Sequence, residues 1–289
     1  MLVSSLNKIT NLNMLLKYSD AVMAGCDDTS ILNEQNYTID DLLFIQNEVH
    51  KANKCFILKL NCMLHEDKIM DFKNFISNFN DVDYYYVSDL GAAEILSSLG
   101  LKDKIIYDPV TMICNSLDAK IYKNCANILG LSHEITLEDA NIISEAIDNN
   151  AFYKVFGYHL MCFSKRKLIS LYLEENKLTK LGDIYYLNEE KREDYYPIIE
   201  RNYGTLILRS HVINLMKEIQ SIKPKYLFVE TTLIDSDKLE VVLDLYSKLI
   251  NHEISIEDAL NKYNELELLT SDGFTYTDSV YLKEEMKNV

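Results

Sequence analysis

Short runs rich in Val, Ile, Tyr and Phe recur eight times along this chain, and stretches with helical spacing separate most of them. The runs fall at 2–5, 20–25 ("DAVMAG"), 55–61 ("CFILKLN"), 84–89 ("YYYVSD"), 104–108 ("KIIYD"), 126–132 ("ANILGLS"), 152–162 ("FYKVFGYHLMC") and 225–231 ("KYLFVET"). Each is short enough for a buried strand. Between them, Leu42, Ile45, Val49 and Ala52 repeat at helical spacing, as do Ile69, Phe72, Ile76 and Phe79. The same spacing predicts helices over 211–222 (Val212, Leu215, Ile219, Ile222) and 237–250 (Leu239, Val242, Tyr246, Leu249). Thr38, Thr136 and Ser255 each stand three residues before an aspartate, the pattern of a helix N-cap with a carboxylate that reaches back.

Alternating strands and helices require a parallel sheet. Eight units over 289 residues predict an α/β fold, a (β/α)8 TIM-like barrel, with an open doubly wound sheet as the alternative. Residues 163–210 break the rhythm. Their polar-aromatic alternation predicts a small hairpin-like insertion between strands 7 and 8, over or beside the C-terminal mouth. The chain reads as one barrel domain, 1–289. It contains neither GxGxxG nor GxxxxGK[ST], so dinucleotide and P-loop binding lack support.

Composition narrows the partners. Hydrophobic residues make up 48% of the chain, enough for a large core, while a formal net charge of -16 disfavours nucleic acid. The start "MLVSSLNKITNLN" lacks the pattern of a signal peptide, and no apolar stretch approaches the roughly 20 residues of a membrane helix. The expectation is a cytoplasmic protein with no membrane partner. Six cysteines (26, 55, 62, 114, 125, 162) form no CxxC pair and read as small core residues rather than a disulfide scaffold or a thiolate metal site.

In a barrel, strand C-termini build the site. Polar residues stand at these ends, and Asn61, Asp89, Asp108, His133, Glu134, His159 and Glu230 come from different ends that a barrel would bring around one axis. Arg166, in the run Lys165-Arg166-Lys167 just after strand 7, completes the set. His133 with Glu134 suits a general base or metal ligand, or else a partly buried imidazole beside a helix cap. Asp108 precedes Pro109 and also suits a turn. Asn61 either holds a loop or contacts ligand, and Glu230 either faces the site or pairs with a cation. The cationic run is either solvated surface or an anion-recognition element, with Arg166 as a planar fork.

Several stretches resemble the U32 peptidase family, the collagenase-like peptidases: "LKLNCMLHEDKIMDF" (58–72), "YYYVSDLGAAEIL" (84–96), "LSHEITLEDANII" (131–143), "VFGYHLMCFSKRKLISLY" (155–172), "YYPIIERNYGTLIL" (195–208) and "SDGFTYTD" (271–278). The resemblance implies a barrel-type fold and a peptidase-like function on a small anionic or peptide-like ligand at the mouth. It also implies a second reading, a non-catalytic accessory subunit in a hetero-oligomer with a homologous U32 protein. Departures matter. The family's Ser-Gly-Arg-Cys reads Ser164-Lys165-Arg166-Lys167, its Arg-Glu pair reads His133-Glu134, and its Lys-Ile-Glu-Gly-Arg keeps only the carboxylate, Glu230. The branch that holds an iron–sulfur cluster uses four cysteines in the second half of the chain. No cysteine follows Cys162, so the sequence predicts no cluster and no other cofactor or metal. No Ser/His/Asp or HExxH arrangement supports hydrolysis.

Overall fold

All eight apolar runs are strands in the protein's computed structural model, which describes residues 1–191 and 193–277. Asp278, the end of the 271–278 segment, lies outside them. In chain order β1 (Leu2–Ser5) leads through α1 (Leu12–Tyr18) to β2 (Ala21–Ala24), α2 (Ile39–Lys51), β3 (Cys55–Leu60) and α3 (Ile69–Ile76). Then follow β4 (Tyr84–Val87), α4 (Leu90–Ser98), β5 (Ile105–Tyr107), α5 (Ser116–Tyr122), β6 (Ile128–Gly130), α6 (Leu137–Ala146) and β7 (Ala151–Ser164). After an insertion come β11 (Tyr226–Val229), α8 (Ser236–Ile250), α9 (Ile256–Asn264) and β12 (Thr270–Ser271).

Strands β1 to β7 pair in parallel in sequence order, and β11 pairs in parallel with both β7 and β1, which closes an eight-stranded barrel. Within the barrel the strands are buried on both faces, so each reads as a continuous apolar run. Inward residues Val3, Met23, Ile57, Ile106, Ile128, Phe152 and Phe228 fill the barrel. Outward residues such as Val22, Phe56 and Leu58 join Leu42, Ile45 and Val49 of α2 in the layer between sheet and helices. The helix starts follow the local chemistry. Thr38 and Asp41 form a reciprocal capping box, and the hydroxyls of Thr136 and Ser255 accept from the Asp139 and Asp258 N–H groups.

The insertion is larger than a hairpin. β7 runs past the barrel rim, and β10 (Gly204–Asn214) pairs antiparallel with the extension. β9 (Tyr195–Arg201) and β8 (Ile184–Asn188) follow outward, and α7 (Leu168–Glu175) packs on this sheet through Ile169 and Leu173. The other face meets the loops after β2 and β11: Ile199, Tyr203, Leu206 and Leu208 pack on Ile31, Leu32 and Leu233. The insertion therefore covers part of the C-terminal mouth.

The helix predicted over 211–222 is absent. Residues to Asn214 belong to β10, and only Ile219–Ser221 form a 3-10 turn. The apolar spacing arises because Val212, Leu215 and Ile219 are each buried from a different element, a strand, the segment after it and a 3-10 turn, rather than from one helix face. Pairing with β7 and with β12 decides the conformation, and local spacing does not encode such long-range ladders.

Two glycines let the barrel close around its polar end. Gly157 adopts φ +110°, and a Cβ there would stand 2.2 Å from the Glu230 carbonyl oxygen. Gly130 leaves room for Asp108, whose Cγ would lie 2.3 Å from an added Cβ. Gly157→Ala combines a disfavoured backbone with a clash against rigid main chain, so it should destabilise the fold by about 1–3 kcal/mol. Urea unfolding of the variant checks this, and an unchanged midpoint would contradict the close approach of β7 to β11.

Candidate functional site

Two residues beyond the apolar plug, the inward positions turn polar. The two-residue period of the strands carries Ile57 to Lys59 and Asn61, Ile106 to Asp108, Phe152 to Lys154 and Phe228 to Glu230. These side chains, with Tyr86 and His133, line a cavity of about 40 Å³ at the C-terminal end, roofed by Leu32, Val110, Leu131 and Leu160. That volume suits a few waters or one small polar group of a larger ligand.

Glu230 is 2% exposed. Its Oε1 accepts from Ser5 Oγ and Thr232 Oγ1, both at 2.7 Å, and from the Thr232 N–H at 3.2 Å. Burial alone would raise its pKa, but Lys59, Lys154 and these hydroxyls outweigh burial and hold the carboxyl below its usual range. Lys59 is buried, and its Nζ donates to the Leu32 carbonyl at 2.9 Å. Lys154 donates to the Tyr158 carbonyl at 3.0 Å and lies 5.9 Å from the Phe228 ring. Burial pushes both ammonium groups below their usual pKa, against the pull of Glu230. Neither lysine forms an ion pair within 4.0 Å among the described residues.

Asp108 accepts from Tyr86 Oη at 2.8 Å and from the Val110 N–H at 2.9 Å. Burial raises its pKa despite these donors, and burial with the neighbouring carboxylate raises that of Tyr86. The rings of His133 and His159 stack with centroids 4.1 Å apart. His159 is 5% exposed, and its Nε2 has no hydrogen-bond partner among the described residues. Burial, with the Lys154 and Arg209 charges, lowers His133 to about 3 and holds His159 well below the usual imidazole range. Both rings are neutral at pH 7.

Of the residues singled out by sequence, Asn61, Asp108, His133 and Glu230 line the cavity, and His159 stacks on His133. Asn61 also holds a loop, because its Oδ1 accepts from the Ile31 N–H at 3.0 Å. The other three lie elsewhere. Asp89 caps α4, accepting from the Ala92 N–H at 3.1 Å and the Leu64 N–H at 3.2 Å. Glu134 is exposed, with its N–H on Ser132 Oγ at 3.1 Å. Arg166 is exposed, and its guanidinium has no partner among the described residues; only its backbone is held, by Ser164 and Thr205. Asp89 and Glu134 each follow an inward residue and so face out, and Arg166 lies beyond the end of β7.

Sequence reasoning missed Lys59, Lys154 and Tyr86. A signal existed: a single lysine inside each of the apolar runs "CFILKLN" and "FYKVF", where lysine is rarely buried without a partner. Reasoning also missed Glu200. Its buried carboxylate accepts from the Ile169 N–H at 2.8 Å, from Ser170, and from Lys180 Nζ at 3.3 Å, and so docks the start of α7 on β9. The donor set for an iron–sulfur cluster does not fit. All six cysteines are free and none follows Cys162, and among the described residues no group of three or more His, Cys, Asp or Glu side chains could hold a metal ion.

Barrel closure and a charged ring at the C-terminal end define an α/β barrel of the TIM type. The profile of Peptidase family U32 matches residues 7–288, and the chain belongs to that family. It is 27% identical over 315 residues to the uncharacterized protease MJ0090 of Methanocaldococcus jannaschii, covering 99% of this chain and 74% of that one. The structure of the U32 peptidase Mk0906 shares the fold, with a TM-score of 0.52 at 10% identity over 79% of this chain and 91% of that one.

The histidine pair makes stability depend on pH. Both folded-state pKa values lie below the unfolded value of about 6.5. Stability is therefore complete above that pH and falls as the unfolded chain takes up protons that the folded chain refuses, from about 6.5 down to about 3 for His133. The slope is at most about 1.4 kcal/mol per pH unit for each histidine. Urea unfolding between pH 7.5 and 4.5 should show this loss, and His133→Gln should flatten it. An unchanged slope in the variant would mean that His133 is not held neutral.

Proposed function

We propose that the protein is a peptidase-like U32 barrel that takes a small anionic or peptide-like ligand at the charged ring, without an iron–sulfur cluster. One observation carries this reading. Lys59 and Lys154 converge on one cavity, and among the described residues each Nζ has a single hydrogen bond, to a backbone carbonyl. An ammonium carries three donors, so two on each lysine are open to an incoming carboxylate or carbonyl oxygen. In the low dielectric of the mouth such charge-assisted bonds are strong. Glu230 balances the cations, and Tyr86, whose hydroxyl donates to Asp108, lines the same cavity. His133, held at a pKa of about 3, resists taking up a proton, so in this reading it offers a neutral ring nitrogen to the ligand and would act as general base only once a bound anion raised that pKa. Six free thiols agree with a reducing, cytoplasmic setting, and among the described residues no helix is long and apolar enough to cross a membrane.

A second reading, an accessory subunit paired with a homologous U32 protein, draws on the insertion. Among the described residues no strand pairs with the outer edge of β8, and Leu171, Tyr172, Leu181, Tyr186 and Tyr195 are exposed. An open edge beside apolar surface is a ready surface for another chain.

A screen of short peptides with free C-termini, read by mass spectrometry for binding and cleavage, tests the first reading. Lys59→Met and Lys154→Met should each weaken binding about 10- to 100-fold, the range for a lost hydrogen bond to a charged group. Glu134→Gln and Arg166→Ala should change it little, since both side chains face solvent. Equal losses in all four variants, or none in the lysine variants, would move the site away from the ring.

A further inference from the structure

The cationic run Lys165-Arg166-Lys167 is not absorbed by the central cavity, although it sits at the barrel mouth. Its backbone is fixed, because Thr205 Oγ1 donates to the Arg166 carbonyl at 2.8 Å and accepts from the Leu168 N–H at 3.0 Å. The three side chains then diverge. Arg166 points to solvent, and Lys167 faces the carboxylates of Asp27, Asp183 and Glu200. Lys165 reaches over a separate cavity of about 430 Å³ beside the loop that follows β3. That size lies within the range of about 300–1,000 Å³ for small-molecule sites.

The walls of this second cavity divide by chemistry. Met63, Phe72 and Phe75 make an apolar side, with Met63 51% exposed although it lies between a barrel strand and its helix. Four charged residues line the rest. Lys68 and Asp71 satisfy each other at 3.0 Å. Asp28 and Lys165 remain, both exposed and neither with an ion-pair partner among the described residues. One free anion, one free cation and an apolar wall around a small-molecule volume complement one chemical class.

We propose that this cavity binds a free α-amino acid with a large apolar side chain. Its carboxylate sits on Lys165, its ammonium on Asp28, and its side chain lies against Met63, Phe72 and Phe75. The charges are rim-exposed and supply orientation, while burial of the side chain supplies most of the affinity, at about 25 cal/mol per Å² of apolar surface. Cys62 lines the same cavity directly after Asn61, which lines the central one, so the two sites adjoin along one loop without sharing these residues.

Cys62 also supplies the readout. Its alkylation by iodoacetamide at pH 8.5 is followed by peptide mass spectrometry in the full chain, with exposed Cys114 and Cys162 as internal references. L-phenylalanine and L-leucine should protect Cys62 in a saturable way and leave the two references unprotected. N-acetyl-phenylalanine, which lacks the ammonium, and phenylalaninamide, which lacks the carboxylate, should need at least about tenfold higher concentration, a difference of about 1.4 kcal/mol. Lys165→Ala and Asp28→Asn, both surface changes, should each cost protection by phenylalanine to a similar degree. In Lys154→Met protection should persist, which separates this site from the charged ring. Protection that survives in Lys165→Ala, equal protection by the blocked analogues, or no protection at all would overturn the proposal.

Discussion

A buried carboxylate in the field of two buried lysines, none of them in direct contact, organises the C-terminal half of this barrel. Glu230 closes β11, Lys59 comes from β3 and Lys154 from β7, so their field spans the barrel from side to side. Each charge would be costly alone in this environment. Ser5 and Thr232 hydrogen-bond the carboxylate and two backbone carbonyls hold the ammonium groups, while the opposite charges act on one another at a distance and lysine donors stay free. Gly157 is the geometric counterpart, since only a residue without a Cβ lets β7 pass so close to the Glu230 backbone. The Tyr86–Asp108 pair and the stacked histidines add groups that resist changing charge.

The insertion ties this ring to the surface. By extending β7 into an antiparallel sheet, the fold converts one barrel strand into the support of a partial cover. Leu32, whose carbonyl holds Lys59, also packs under that cover, so the position of the lysine and of the insertion are coupled. Glu200 performs the analogous task at the outer edge, where burial would raise its pKa but the Ser170 and Lys180 contacts hold it down and dock α7. The three cations after β7 stand in three different surroundings: Lys165 at the second cavity, Arg166 in solvent and Lys167 beside carboxylates.

Much of the architecture was legible from residue order. Strand existence followed from short β-rich runs, and the helix starts at Thr38, Thr136 and Ser255 from caps that act within four residues. Closure was legible in the number eight together with the chain length. Val212, Leu215 and Ile219 misled, because buried residues of a strand, a turn and a 3-10 segment can mimic one helix face. Asp89 and Glu134 misled for a related reason: position after a strand does not say which way a side chain faces.

What the sequence by itself determined is the parallel eight-unit alternation, the family resemblance carried by its strand-end segments, and the absence of thiols after Cys162. What only the tertiary structure decided is which strand-end groups meet. Lys59, Lys154, Tyr86, Asp108 and Glu230 stand far apart in the chain and share a cavity because strand register and barrel closure put their inward faces at one height. Register depends on pairing between distant segments, and a slip of one residue would turn each of these charges outward. Local sequence carries no such information, so the ring became visible only when the barrel closed.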